Sequence, residues 1–189
     1  MTTAPPLNPL LCAGPERLNV RRRFLLRTAA ALLAAITLAA CYPDLDWRPL
    51  NAAQGRFTVL MPARPKEDSR PVAEGVTMHQ WATRASDALF AAAYTDYPAA
   101  AVSHMATVQA ALVAKGGRLA GERELRQEGL AGREFSVEFP ADKAPPVLHV
   151  RLLASGNRLY QLSVLTRGDK PSRDDIDLFF DSFHITPSQ

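Results

Sequence analysis

Cysteine, long apolar runs and catalytic signatures are all scarce in this chain, and each shortage excludes a class of protein. Two cysteines, Cys12 and Cys41, among 189 residues cannot build the disulfide framework of a small secreted scaffold. The apolar stretch from Thr28 to Ala40 holds eleven apolar residues and two threonines, short of the roughly 20 that a permanent transmembrane helix needs. Gly-x-Ser-x-Gly is absent, and Ser103 beside His104 falls on a helical pattern, where adjacent side chains diverge by about 100°. Lys115-Gly116-Gly117 has the wrong order for a phosphate loop and follows a helix instead of leading one. His79, His104, His149 and His184 are too far apart in sequence to pair at metal-ligand spacing. Asp174, Asp175, Asp177 and Asp181 lack the glycine of a calcium loop and suit a helix start. No catalytic residue, no metal and no cofactor is therefore expected.

A surplus of one charge is also missing, once the chain is divided. Residues 1 to 40 carry five arginines and one glutamate, net +4, whereas residues 41 to 189 carry 17 basic and 18 acidic side chains, net −1. A basic face able to grip phosphates is thus lacking from the larger part, and no nucleic-acid partner is expected.

What is present begins with an address. Arg21, Arg22, Arg23 and Arg27 precede the short apolar stretch, which closes on Leu38-Ala39-Ala40-Cys41. A basic start, a short apolar run and small residues before a cleavage point are the parts of an export signal. The string resembles a bacterial lipoprotein signal, in which the cysteine takes up lipid and becomes the mature N-terminus. Arg21-Arg22-Arg23-Phe24-Leu25 also resembles a twin-arginine export core, although Val20 and Leu26 depart from its usual flanks. The resemblance implies a signal peptide over 1–40, twin-arginine-like, with Arg21, Arg22, Phe24 and Leu25 read by the export machinery and Cys41 as the lipid attachment site. Cys12 would be removed and Cys41 acylated, leaving no thiol chemistry. Residues 41–54, with Pro43 and Pro49 and no periodic pattern, read as a lipidated tether.

Residues 55–189 read as one globular domain. Arg56–Met61 alternates polar and apolar and is stopped by Pro62 and Pro65. Val76–Thr83 and Ala88–Tyr94 flank a short polar turn at Arg84–Asp87, and with the first run they read as three antiparallel strands. Val102, Met105, Gln109 and Leu112 recur at helical spacing up to Gly116-Gly117. Arg118–Arg126, Arg133–Phe139, Val147–Ala154 and Leu159–Thr166 are four further strands, the last two joined at Ser155-Gly156-Asn157-Arg158. Ser172 with Asp175 forms a capping-box signature before the apolar stripe Ile176, Phe179, Phe180 and Phe183. Strand runs broken by two helices predict an α+β fold, a twisted antiparallel sheet with helices packed on it.

This order of elements, with Gly132-Arg133-Glu134-Phe135 and the terminal Asp181-Ser182-Phe183-His184-Ile185, resembles bacterial lipoproteins of the PsbP-like and DcrB-like type. The resemblance implies an α/β/α sandwich over about Arg56–Ile185 and carries no catalytic residues. Trp81, Tyr94 and Tyr97 stand near one end of the expected sheet as a candidate binding surface, with Arg84 and Arg151 as charged neighbours; core packing competes for the same aromatics. The expected protein is lipid-anchored at the cell membrane or outer membrane on the periplasmic side. Its expected role is a non-catalytic binding or accessory one towards an envelope protein or small ligand. The alternatives are a hydrolase with an unrecognised site and a structural component of an envelope assembly.

Overall fold

A computed structural model describes residues 45–186. The expected leader, with Arg21, Arg22, Phe24, Leu25, Leu38, Ala39, Ala40 and Cys41, lies outside the described residues. Ten strands and two α-helices appear among those described. The strands are β1 (Arg48–Ala52), β2 (Phe57–Met61), β3 (Lys66–Ala73), β4 (Val76–Ala85), β5 (Ala88–Asp96), β6 (Arg118–Gln127), β7 (Leu130–Glu138), β8 (Pro146–Ser155), β9 (Arg158–Arg167) and β10 (His184–Ile185). A 3-10 turn at Ala101–His104 leads into α1 (Met105–Val113), and α2 spans Arg173–Asp181. Seven strands form one antiparallel sheet in the order β3-β4-β5-β9-β8-β7-β6, and β1-β2-β10 form a second, smaller one.

The α+β expectation holds in a sheet-dominated form. Alternation along the strands divides the large sheet into two faces. Trp81, Phe90, Ala92, Tyr94, Leu153, Tyr160, Leu162 and Val164 point to the first face, where Phe57, Val59 and Met61 of β2 and Ile176, Phe179 and Phe180 of α2 cover them. Phe135, Val137, Val150, Leu152 and Leu159 point to the second face and pack against Ala101 and Met105. The helices of the expected sandwich are therefore unequal: α1 lies on one face, while α2 shares the other with a sheet.

Three expectations need correction. The expected tether contains β1, whose Leu50 pairs with Val59 and whose Ala52 pairs with Phe57. Pro49 is tolerated there because β1 is an edge strand. The Arg56–Met61 strand does not join β4 and β5 in a three-stranded set; it pairs with β1 and β10 in the smaller sheet. Strand β3 was not expected at all, because its eight residues are exposed and show no alternation.

The α2 signature is realised as predicted. Asp175 N–H donates to Ser172 Oγ at 3.2 Å and Ser172 N–H donates to Asp175 Oδ2 at 3.0 Å. The turn before β5 departs from hairpin preference: Ser86 and Asp87 hold φ of 48° and 59°, left-handed values that glycine or asparagine adopts more easily. Gly55 is required for close approach, because a Cβ there would lie 2.6 Å from the Phe57 ring.

Candidate functional site

A cleft of about 710 Å³ opens on the second face, between α1 and the β3–β4 hairpin. That volume falls within the roughly 300–1,000 Å³ of small-molecule sites. Its walls come from Val72, Val76 and Met78 on the hairpin, Val108 and Leu112 on the helix, and Leu159 on the sheet floor. Pairing places Arg70 opposite Met78, Met78 opposite Thr95 and Thr95 opposite Leu159, so these four form one row across the sheet on the cleft side.

The polar groups gather where β5 passes into the 3-10 turn. Tyr97 N–H donates to Asn157 O at 2.9 Å, and Asn157 Nδ2 donates to Tyr97 O at 3.2 Å. Ala101 N–H donates to Gly156 O at 2.9 Å, so the joint is tied to the β8–β9 turn at both ends. The Tyr97 and His104 rings stack at 3.9 Å and 10°. His104 Nε2 is buried without a hydrogen-bond partner among the described residues. Burial pushes the Tyr97 phenol above its ordinary value. Arg70, Glu74 and Lys115 are exposed cleft-lining residues. Neither cation forms an ion pair with another described residue.

The expected aromatic surface is not assembled. Trp81 and Tyr94 are 8% and 5% exposed and belong to the core of the first face. Trp81 meets Phe57 edge-on at 5.6 Å and stacks on Tyr94 at 6.1 Å. Tyr94 also stacks on His79 at 4.8 Å and carries Arg158 over its ring at 4.5 Å. Strand alternation and the cover of the small sheet bury these two, while Tyr97, beyond the strand end, lines the cleft on the other face. Arg84 is exposed at the far end of β4, and Arg151 is buried under α2.

Arg151 is the centre of a second constellation. Its Nε donates to Glu134 Oε2 at 2.8 Å, with Nη2 in ion-pair contact with the same oxygen at 2.7 Å, and its Nη1 donates to Asp181 Oδ1 at 2.7 Å and Gln127 Oε1 at 2.9 Å. Gln127 Nε2 in turn donates to Phe180 O in the last turn of α2 and to Phe183 O just beyond it. Arg123 adds a bond to Glu134 Oε1 at 2.9 Å. Burial opposes ionisation of Glu134, but the hydrogen bonds and charge of Arg151 and Arg123 outweigh it and hold the carboxyl below its usual range. This arrangement fastens α2 to the sheet; it leaves the guanidinium of Arg151 committed to protein partners.

Two serine–histidine contacts bear on the hydrolase alternative. Ser136 Oγ lies 3.0 Å from His149 Nδ1 and Ser69 Oγ lies 2.9 Å from His79 Nδ1. In a serine triad Nε2 serves the nucleophile while Nδ1 faces an orienting carboxylate. Here Nδ1 is taken by the serine in both pairs, and neither pair lines the cleft. Asp175 caps α2, Asp177 pairs with Arg173 at 3.1 Å and Asp181 pairs with Arg151, so three of the four C-terminal aspartates have structural partners.

No family model matches the sequence, and no curated protein matches it. Among solved structures, a Bacteroides thetaiotaomicron protein is 10% identical over 75% of this chain and 49% of its own, with a TM-score of 0.46. This chain thus spans about half the length of that protein. A Pseudomonas aeruginosa protein of unknown function is 12% identical over 75% of this chain and 99% of its own, at TM-score 0.47. Cyanobacterial PsbP from Synechocystis is 14% identical over 77% of this chain and 95% of its own, at TM-score 0.49. At these TM-scores none of the three assigns a role to this chain.

The signals that could have revealed the cleft were Val72, Val76 and Met78 around Glu74-Gly75, a hairpin tip with apolar residues on both arms. The exposed, charged run of β3 concealed them.

Proposed function

We propose that this protein is a lipid-anchored, periplasm-facing domain of the PsbP-like type that binds a small, largely apolar ligand without catalysing its conversion. The observation that carries the binding role is the cleft between α1 and the β3–β4 hairpin: apolar walls, a volume suited to a small molecule, and a few polar groups at one end. The anchor rests on the sequence, where Leu38-Ala39-Ala40-Cys41 ends a basic-then-apolar leader. Among the described residues no helix is long and apolar enough to cross a membrane. Attachment through a lipid on Cys41 supplies the membrane association in this reading. The PsbP-like assignment is supported by the order of elements: strand, proline break, hairpin, helix, meander, helix and short terminal strand.

Two experiments test the parts separately. Cys41→Ala is expected to abolish metabolic labelling with palmitate and to release the protein from the membrane pellet; an unchanged pellet overturns the anchor. Asp44–Gln189 is one compact unit containing both cores, so the polypeptide Tyr42–Gln189 serves for binding. It is expected to bind the uncharged dye Nile red saturably at one site. Ala111→Trp, on the helix wall of the cleft, removes that binding while leaving the circular dichroism unchanged. Absence of saturable binding, or a folded Ala111→Trp variant that binds normally, rejects the cleft as the site.

A further inference from the structure

We infer that the occupant of this cleft is a monomeric amphiphile with an anionic head, of the long-chain carboxylate class. This rests on the cleft being the binding site.

Three observations choose the chemistry. The walls are formed by Val72, Val76, Met78, Val108, Leu112 and Leu159, which reward an alkyl chain. The polar end holds groups able to receive a head: His104 Nε2, buried and without a partner, and the half-buried Tyr97 stacked on it. An unpartnered buried polar atom is costly, and a ligand oxygen or hydroxyl would satisfy it. The charge is set by Arg70, which shares the cross-strand row of Met78 and Thr95, with Lys115 further along. Glu74 is the acidic residue among those lining the cleft, so two cations face one anion and an anionic head is complementary.

The test uses displacement of Nile red from Tyr42–Gln189 by octanoate, decanoate and dodecanoate, each below its micelle concentration, and by decanol. Affinity is expected to rise about fourfold per methylene, the gain from burying each one. Decanoate is expected to bind about fivefold tighter than decanol. Arg70→Ala erases that preference and leaves decanol unchanged. His104→Phe keeps the stack on Tyr97 but removes Nε2, and is expected to weaken decanoate about fivefold, the scale of one lost hydrogen bond. Equal binding of decanoate and decanol, or a chain-length gain below about 1.5-fold per methylene, overturns the inference. Nile red binding is unaffected by such a failure, so the proposed binding role is judged apart from it. Transfer of labelled phosphatidylglycerol out of vesicles into the protein, at a level matching decanoate, also overturns it by naming a bilayer lipid as the occupant.

Discussion

Glu134→Ala is expected to be among the most destabilising single changes on the polar side of this domain, although it removes no apolar contact. The side chains of Glu134 and Arg151 are 9% and 6% exposed, and Glu134 Oε2 accepts a hydrogen bond from Nε and meets Nη2 of the same guanidinium in an ion pair. Without the carboxylate, Arg151 keeps Asp181 as its acidic partner, and that side chain is 69% exposed and well solvated. Phe180, whose ring lies 4.9 Å below the guanidinium, limits access of water from the helix side. Breaking a buried ion pair from one side costs about 3–5 kcal/mol where the remaining charge is left uncompensated, and about 2–3 kcal/mol is expected here because Asp181 and Gln127 still bind Arg151. Urea unfolding, followed by far-UV circular dichroism and by tryptophan fluorescence, measures the loss as a lower midpoint at unchanged slope. A second variant separates charge from packing. Glu134→Leu with Arg151→Met replaces both partners by apolar groups of similar size and is expected to recover at least half of the loss, since the desolvation cost disappears with the charges. A Glu134→Ala cost below about 1 kcal/mol, typical of an exposed pair, would refute the reasoning. So would a double variant no more stable than the single one.

Burial pushes the His149 imidazole below its ordinary value, so the unfolded chain binds the proton more readily than the folded one. Stability is therefore expected to fall as pH drops below about 6.5 and on through the lowered folded value, and His149→Gln should flatten that part of a Tm-against-pH curve. Hydrogen bonding from Arg158 holds the Asp96 carboxyl below its usual range, so its contribution is complete above about pH 4 and is lost as pH falls through the lowered value. Asp96→Asn should reduce the acid-side loss, read in the same scan. Asp87→Gly is expected to raise stability by about 0.5–1 kcal/mol in urea unfolding, because glycine holds the observed φ of 59° without strain and that relief exceeds its entropy cost. A lower midpoint would show that the Asp87 side chain contributes more than its backbone strain.

Legibility in the sequence tracked burial on one face. Phe57, Val59 and Met61 alternate with half-buried residues, and the strand could be read from that alone; its partners could not, because alternation records a buried face and not the neighbour that buries it. The stripe Ile176, Phe179 and Phe180 was legible for the same reason, with Ser172 marking its start. Strand β3 has no buried face, so Lys66–Ala73 carried no periodic signal, and the hairpin wall of the cleft went unseen with it. Trp81 and Tyr94 stand out in the sequence as aromatic residues near one sheet end, but aromatic type does not separate core from surface. Their partners Phe57 and Tyr160 come from distant parts of the chain, and only the folded arrangement places them together.

The unequal cover of the two sheet faces explains why a cleft exists where it does. Seven strands about 4.8 Å apart make a sheet roughly 29 Å wide. On the first face, three short strands and α2 pack over β4, β5, β9 and β8, and the residues there form the larger core. On the second face α1 has nine residues, about 13 Å of helix, and its buried side chains are Met105 and Gln109. Gln109 Oε1 accepts from Arg133 Nη1 at 2.8 Å, so the helix is fastened towards the β7 side of the sheet. That fastening keeps α1 towards the β7 side, and on the β3–β4 side the hairpin supplies the opposite wall of the cleft. The cleft is thus a consequence of a helix too short for its sheet, fixed at one side by a half-buried polar pair. Lengthening α1 or moving its anchor would close the space, which makes Gln109 and Arg133 supports of the site although Gln109 does not line it.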